Sequence, residues 1–188
     1  MSIDSTALIA LGGNLGDVLE SFRLALSRLS GAGIEVLQIS SAFQTVPLTL
    51  EGEAWSLEAG PPAYWNAVCR IRSGLDPHGL LGLLHELEAQ AGRIRRERWE
   101  ARVLDLDLLG FGDVVIEDDV LTLPHPGVAE RRFVLAPLVQ VAPEWTHPIL
   151  GVSAKTLLER LGGDDGEILK VDDHWAEGAT AVIVGTND

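Results

Sequence analysis

An antiparallel α+β sandwich is the fold class this sequence predicts, and three observations predict it. Stretches of strand period and of helical period follow one another as strand, helix, strand, strand, helix, strand. The later strands alternate side chains between two faces, as a sheet packed against helices requires. Each helical stretch also carries its own start and stop residues. That order is the order of a ferredoxin-like sandwich, with helices on one face of the sheet and the opposite face open to a ligand.

Ala7 to Leu11 is a continuous apolar run, which predicts a buried central strand. Gly12-Gly13-Asn14 ends it, and Asp17 with Glu20 marks a helix start. Leu15, Leu19, Phe22, Leu26 and Leu29 then recur at helical spacing until Gly31 and Gly33 stop the helix. The Gly-Gly-Asn turn has two readings: it turns the chain, or it presents a helix N-terminus to a phosphate. Ile34 to Thr45 predicts one long strand, ended by Pro47. Leu48 to Ala63, rich in Gly, Pro and Glu, is longer than a routine connection, as a lid or binding loop would be.

Tyr64 to Arg72 alternates, with Trp65, Ala67, Cys69 and Ile71 on one face and Asn66, Val68, Arg70 and Arg72 on the other. Asn66 either closes a strand-end hydrogen bond or reads a ligand. Asp76-Pro77 predicts an N-cap followed by proline in the first turn, and Leu80, Leu83, Leu84, Leu87 and Ala91 form the buried stripe up to Gly92. A strand over Val103–Phe111 leads through Gly112-Asp113 into Val114-Val115-Ile116, which predicts a hairpin. Leu121 to Pro126 is extended by its prolines. Arg131-Arg132-Phe133 opens a short helix through Val139, interrupted by Pro137, and Ser153 caps a last helix from Ala154 to Leu161.

A chain of 188 residues is most simply one domain, here residues 1–162, followed by an extension over 163–188 that carries two apolar runs, Ile168–Val171 and Ala181–Val184. The extension reads as an added hairpin or an interaction strand. The net charge of −14 argues against nucleic acid and anionic membrane as partners. No leader and no membrane-spanning run is legible, and the single Cys69 fits a reducing cytoplasm.

Against that acidic background, residues 92–110 stand out. Arg93, Arg95, Arg96, Arg98 and Arg102 lie beside Asp105 and Asp107. In a strand both aspartates point to one face while Leu104, Leu106 and Leu108 point to the other. At a separation of about 5–7 Å the carboxylates repel by roughly 2–3 kcal/mol at an effective dielectric near 20. A divalent cation removes that cost, and Mg²⁺ is commonly held by one or two carboxylates plus substrate phosphates. Guanidinium forks suit phosphate oxygens. The combination predicts Mg-dependent chemistry on a polyphosphate; solvated charge is the alternative for each half taken alone.

Five segments, in order and spacing, resemble the 6-hydroxymethyl-7,8-dihydropterin pyrophosphokinases of folate synthesis: ALIALGGNLGD at 7–17, FQTVPL at 43–48, YWNAV at 64–68, GRIRRERWEARVLDLDLL at 92–109 and LPHPGVAERRFVLAPL at 123–138. The resemblance implies transfer of the terminal diphosphate of ATP, the co-substrate, to the hydroxymethyl group of the dihydropterin, with release of AMP. It implies two Mg²⁺ ions held by Asp105 and Asp107. Arg93 and Arg102 would neutralise phosphate charge in the transition state, and Arg95, Arg98 and Trp99 would belong to a loop closing over ATP. Glu88, Leu108, Thr122, His125 and Arg131 match nucleotide-side positions. Thr45, Val46, Leu48, Tyr64, Asn66 and Phe133 would form the pterin pocket.

This chain departs from the family pattern at Glu100, where glycine is usual, and at His85, Val120 and Pro126; its 48–63 loop is longer, and residues 163–188 lie outside the resemblance. Two other functions fit the same residues less well: a different Mg-dependent nucleotidyltransferase, and a non-catalytic ferredoxin-like module that binds an anion.

Overall fold

The computed structural model describes residues 5–47, 62–92, 102–163 and 167–177. Its strands are β1 (Ser5–Gly13), β2 (Glu35–Ile39), β3 (Ala42–Thr45), β4 (Tyr64–Ser73), β5 (Asp105–Phe111), β6 (Ile116–Glu117), β7 (Thr122–Leu123), β8 (Thr146–His147), β9 (Val152–Ser153) and β10 (Ile168–Asp172). The helices are α1 (Val18–Gly31), α2 (Pro77–Gln90), α3 (Arg132–Val141) and α4 (Ala154–Arg160). The main sheet runs β10-β3-β4-β1-β5 with every described pairing antiparallel, and β2 also pairs β4. The expected ferredoxin-like order is therefore present.

The apolar run Ala7–Leu11 is central because both of its faces are covered. Ala7, Ile9 and Leu11 join Phe22, Leu26 and Leu29 of α1 and Leu80, Leu84 and Leu87 of α2 in one core. Leu8 joins Val68, Leu109, Val134, Leu135 and Leu138 in a second core on the other face. The face expected to be open is thus partly filled, because α3 presents its own apolar stripe to it. Helix starts agree with their sequence signals: the Asp17, Asp76 and Ser153 side chains accept from the amides of Glu20, Gly79 and Thr156. Cys69 is fully buried, and burial pushes its thiol up to about 12.

Three local expectations are corrected. The single strand over 34–45 is two, β2 and β3, because Ser40 interrupts the ladder: its Oγ accepts from the Val68 amide at 2.9 Å and donates to the Ser41 carbonyl at 2.7 Å. Residues 114–116 do not form a hairpin with β5; Ile116–Glu117 pairs β7 instead. The 121–126 stretch is not uniformly extended: only Thr122–Leu123 is strand, the Leu123–Pro124 bond is cis, and the His125 amide donates to the Leu109 carbonyl at 2.9 Å. Beyond α4, Ile168–Asp172 is a sheet strand, added beside β3. The run Ala181–Val184 lies outside the described residues.

Candidate active site

The register of the sheet places the candidate residues in one cross-strand row. Phe43 of β3 pairs with Asn66 of β4, Asn66 with Gly12 of β1, and Gly12 with Asp105 of β5. Asp107 follows two residues on, opposite Ala10. Strand spacing of about 4.8 Å puts the Asn66 and Asp105 backbones about 10 Å apart, with a glycine between them. A Cβ built on Gly12 would lie 3.8 Å from both Asn66 Oδ1 and Asp105 Cβ. Gly12 is the floor between an amide and a carboxylate.

Asn66 is aimed by Thr45, which is 2% exposed: Nδ2 donates to Thr45 Oγ1 at 2.8 Å, leaving Oδ1 on the Gly12 side. Tyr64 lies two residues before Asn66 on β4, opposite Thr45. Burial raises its phenol above the ordinary value, Arg102 pulls it down and Asp105 pushes it up, so all three groups share one field. The Val46 amide donates to the Glu167 carbonyl at 3.0 Å, beside Thr45.

Asp105 and Asp107 sit on the half-exposed face of β5 while Leu106 and Leu108 fill the core. Arg102 forms an ion pair with Asp105. Its backbone is held by Asn14: the Arg102 amide donates to Asn14 Oδ1 at 2.8 Å, and the Arg102 carbonyl accepts from the Asn14 and Leu15 amides at 2.8 and 3.1 Å. Asn14 Nδ2 also reaches the Pro62 carbonyl at 3.4 Å. The Gly-Gly-Asn turn is therefore a latch that joins the ends of two loops, at a point where sequence patterning allowed only a plain turn or a phosphate-facing one. Its signal was present, since glycine at a strand end marks close backbone approach.

Beside Asp107 opens a cleft of about 240 Å³ lined by Leu81, His85, Asp107, Leu108, Val120, Leu121, Thr122, His125 and Pro126. Three of the nucleotide-side candidates, Leu108, Thr122 and His125, thus meet in one place. His125 Nδ1 accepts from the Gly127 amide at 3.1 Å, which leaves Nε2 to carry the proton of the neutral ring. Burial holds its pKa below the ordinary value, against the upward pull of Asp107 and with the downward push of Arg131. Arg131 lies flat on Gly127, where a Cβ would come within 2.6 Å of its guanidinium carbon, and 5.9 Å from the Phe133 ring centroid.

Glu88 is placed differently from the nucleotide-side expectation. It is 1% exposed, and its Oε1 accepts from the Leu106 amide at 2.8 Å, between the two aspartates. It holds the edge strand from behind. Arg93, Arg95, Arg98, Trp99 and Leu48 lie outside the described residues.

The cleft wall at Val120, Leu121 and Thr122 is pinned by Asp118. Its carboxylate accepts from the Val120 and Leu121 amides at 2.8 Å and meets His78 Nε2 at 2.9 Å. Those two amides first, then His78, hold its pKa below the ordinary value. A depressed carboxylate contributes stability that is present above the unfolded pKa of about 3.9 and lost as pH falls through the folded one. The thermal midpoint should therefore fall less steeply below about pH 4 in Asp118→Asn than in the unaltered protein. Parallel acid profiles would show that the carboxylate does not pin this wall.

Among the described residues, no group of three or more His, Cys, Asp or Glu side chains could hold a metal ion. The donor set is two carboxylates on one face, hard oxygen ligands that suit Mg²⁺ when phosphate and water complete its shell. Fold and site together define an α+β sandwich with an amide side chain at one end of a strand row and a carboxylate pair with arginine at the other.

The model of the family described as 7,8-dihydro-6-hydroxymethylpterin-pyrophosphokinase matches residues 8–143. This chain belongs to that family. It is 38% identical over 189 residues to the 2-amino-4-hydroxy-6-hydroxymethyldihydropteridine pyrophosphokinase of Synechocystis sp., covering 94% of this chain and 91% of the relative. The Bacillus subtilis protein of the same name is 38% identical over 140 residues, 74% of this chain and 79% of that one. The crystal structure of Plasmodium falciparum HPPK-DHPS with pteroate superposes with a TM-score of 0.65 at 13% identity, which supports the fold. The match covers 84% of this chain and 44% of the Plasmodium chain, so the sandwich corresponds to less than half of that protein.

Proposed function

We propose that this protein transfers the diphosphate group of ATP to the hydroxymethyl group of 6-hydroxymethyl-7,8-dihydropterin, a step of folate biosynthesis. The observation that carries this reading is the Asn66–Gly12–Asp105 row, which sets a group able to read a heteroaromatic edge about two strand spacings from a carboxylate pair. Family membership and the Synechocystis and Bacillus relatives support it independently.

In the reaction the hydroxymethyl oxygen bonds to the β-phosphorus of ATP and gives up its proton, which is released to solvent. The bond from that phosphorus to the oxygen bridging to the α-phosphate breaks, and AMP leaves. No covalent protein intermediate is needed, so the chain contributes position and electrostatics. Asn66, aimed by Thr45, reads the polar edge of the pterin, with Tyr64, Val46 and Phe133 beside it. The glycine floor lets the hydroxymethyl arm lie toward Asp105 without meeting a side chain. Asp105 and Asp107 would hold Mg²⁺, which in the bound state supplies neutralisation of triphosphate charge. Arg102, held at its backbone by Asn14, stands where phosphate charge develops. Arg93, Arg95, Arg98 and Trp99 belong to the same function as loop groups. Thr122, His125 and Leu108 line the nucleotide side, where neutral His125 offers an Nε2–H donor and Arg131 a positive charge. Glu88 serves by fixing the Leu106 backbone between the two aspartates.

Incubation with ATP, Mg²⁺ and the dihydropterin alcohol should yield AMP and the pterin diphosphate in equal amounts. Release of pyrophosphate would identify a nucleotidyltransferase instead. ATP binding indifferent to Mg²⁺, without turnover, would identify an anion-binding module.

A further inference from the structure

We propose that residues 167–177 are a positioning element of the pterin pocket, with Trp175 as its anchor. This rests on the pterin-binding reading above and adds a role for a segment beyond the family match, which ends at residue 143. Strand β10 pairs β3 along its length: Ile168 with Thr45, Lys170 with Gln44, Val171 with Phe43 and Asp172 with Ala42. The site row therefore continues outward, as Val171–Phe43–Asn66–Gly12–Asp105. At the pocket end, the Glu167 carbonyl takes the Val46 amide at 3.0 Å, immediately after the Thr45 hydroxyl that aims Asn66.

The far end of the segment is anchored deeply. Trp175 is 2% exposed, its ring meets Phe22 edge-on at 5.6 Å, and its Nε1 donates to the Ser40 carbonyl at 2.9 Å. Arg23 Nε donates to the Trp175 carbonyl at 2.6 Å, and Ser41 Oγ donates to Asp173 Oδ1 at 2.5 Å. Two of these bonds, from Trp175 and to Asp173, meet at Ser40–Ser41, where the long strand is broken into β2 and β3. A four-residue strand with a break on one side is poorly constrained by β4 alone. The segment closes its other edge and ties down the break, so the position of Thr45 depends on it. None of the bonds named here involves Asp107, Thr122 or His125, so the nucleotide side should be indifferent to the segment's loss.

Two variants test this in the full-length protein. Lys170→Pro interrupts β10 at an exposed residue without opening the core, and Trp175→Ala removes the anchor, with Trp175→Phe as the conservative control. Calorimetry with the dihydropterin alcohol, in the presence of a non-hydrolysable ATP analogue and Mg²⁺, is expected to show Kd raised about tenfold in Lys170→Pro and Trp175→Ala, since small misplacements at a site are costly. Trp175→Phe should recover most of the affinity, and the Kd of the analogue alone should stay within about twofold throughout, as a local pterin-side effect requires. A folded Lys170→Pro that binds the pterin as tightly as the unaltered protein overturns the positioning role while leaving the function intact. Equal weakening of both ligands would mean general destabilisation and overturns it too. Failure of the unaltered protein to bind the pterin overturns the function reading itself, and this inference with it.

Discussion

Asp105→Asn and Asp107→Asn are each expected to lower turnover by about 10³-fold or more, equivalent to roughly 4 kcal/mol of transition-state stabilisation. The expectation follows from charge. Two carboxylates share one face of β5, and the polyphosphate they must approach is itself anionic; the amide keeps the shape and removes the ligand charge. Folding should survive both changes. Asp105→Asn also removes the partner of Arg102. A Mg²⁺-dependent increase in ATP affinity, measured by calorimetry, should disappear with turnover. Variants that retain unaltered turnover would remove the carboxylate pair from the mechanism.

Gly13→Ala should be the most damaging single-methyl change near the site. A Cβ at Gly13 would stand 2.8 Å from the Val103 carbonyl oxygen, 3.3 Å from the Arg102 carbonyl oxygen and 3.0 Å from Val18 Cγ1. Two of those three atoms are backbone, so the strain cannot be relieved by a rotamer. The Arg102–Val103 segment must move outward, weakening the bonds through which Asn14 holds Arg102. A loss of about 1–3 kcal/mol of stability is expected for such overpacking. Turnover should fall by about 10²-fold, because displacement of a positioning group by an ångström has that scale. Gly12→Ala provides the comparison: its Cβ meets nothing closer than 3.8 Å, so stability should change little. Equal loss of stability in the two variants would show that the close approach at Gly13 does not hold the Arg102–Val103 segment in place.

Much of the fold was legible because its elements are local. The N-caps at Asp17, Asp76 and Ser153 act within three residues of themselves, and the alternation of Tyr64–Arg72 needs only a two-faced sheet. The acid pair was legible for a similar reason: Asp-x-Asp in a strand puts both acids on one face whatever surrounds it. Elements misread from sequence depend on partners far along the chain. Ser40 breaks its strand by bonding to Val68, and Ile116–Glu117 finds β7 rather than β5. Glu88, a nucleotide-side position by resemblance, is buried with its Oε1 on the Leu106 amide, a contact eighteen residues away that no local pattern announces.

Periodicity, capping residues and the Asp105–Asp107 spacing were determined by the sequence itself, since each depends on dihedral preferences and neighbours within a turn or two. Tertiary structure alone decided that Asn66, Gly12 and Asp105 share a row, that Asn14 latches Arg102, and that Trp175 closes the core from beyond the family's matched span. The reason is physical: register and long-range hydrogen bonds are settled by which apolar faces bury one another, and no local pattern carries that information.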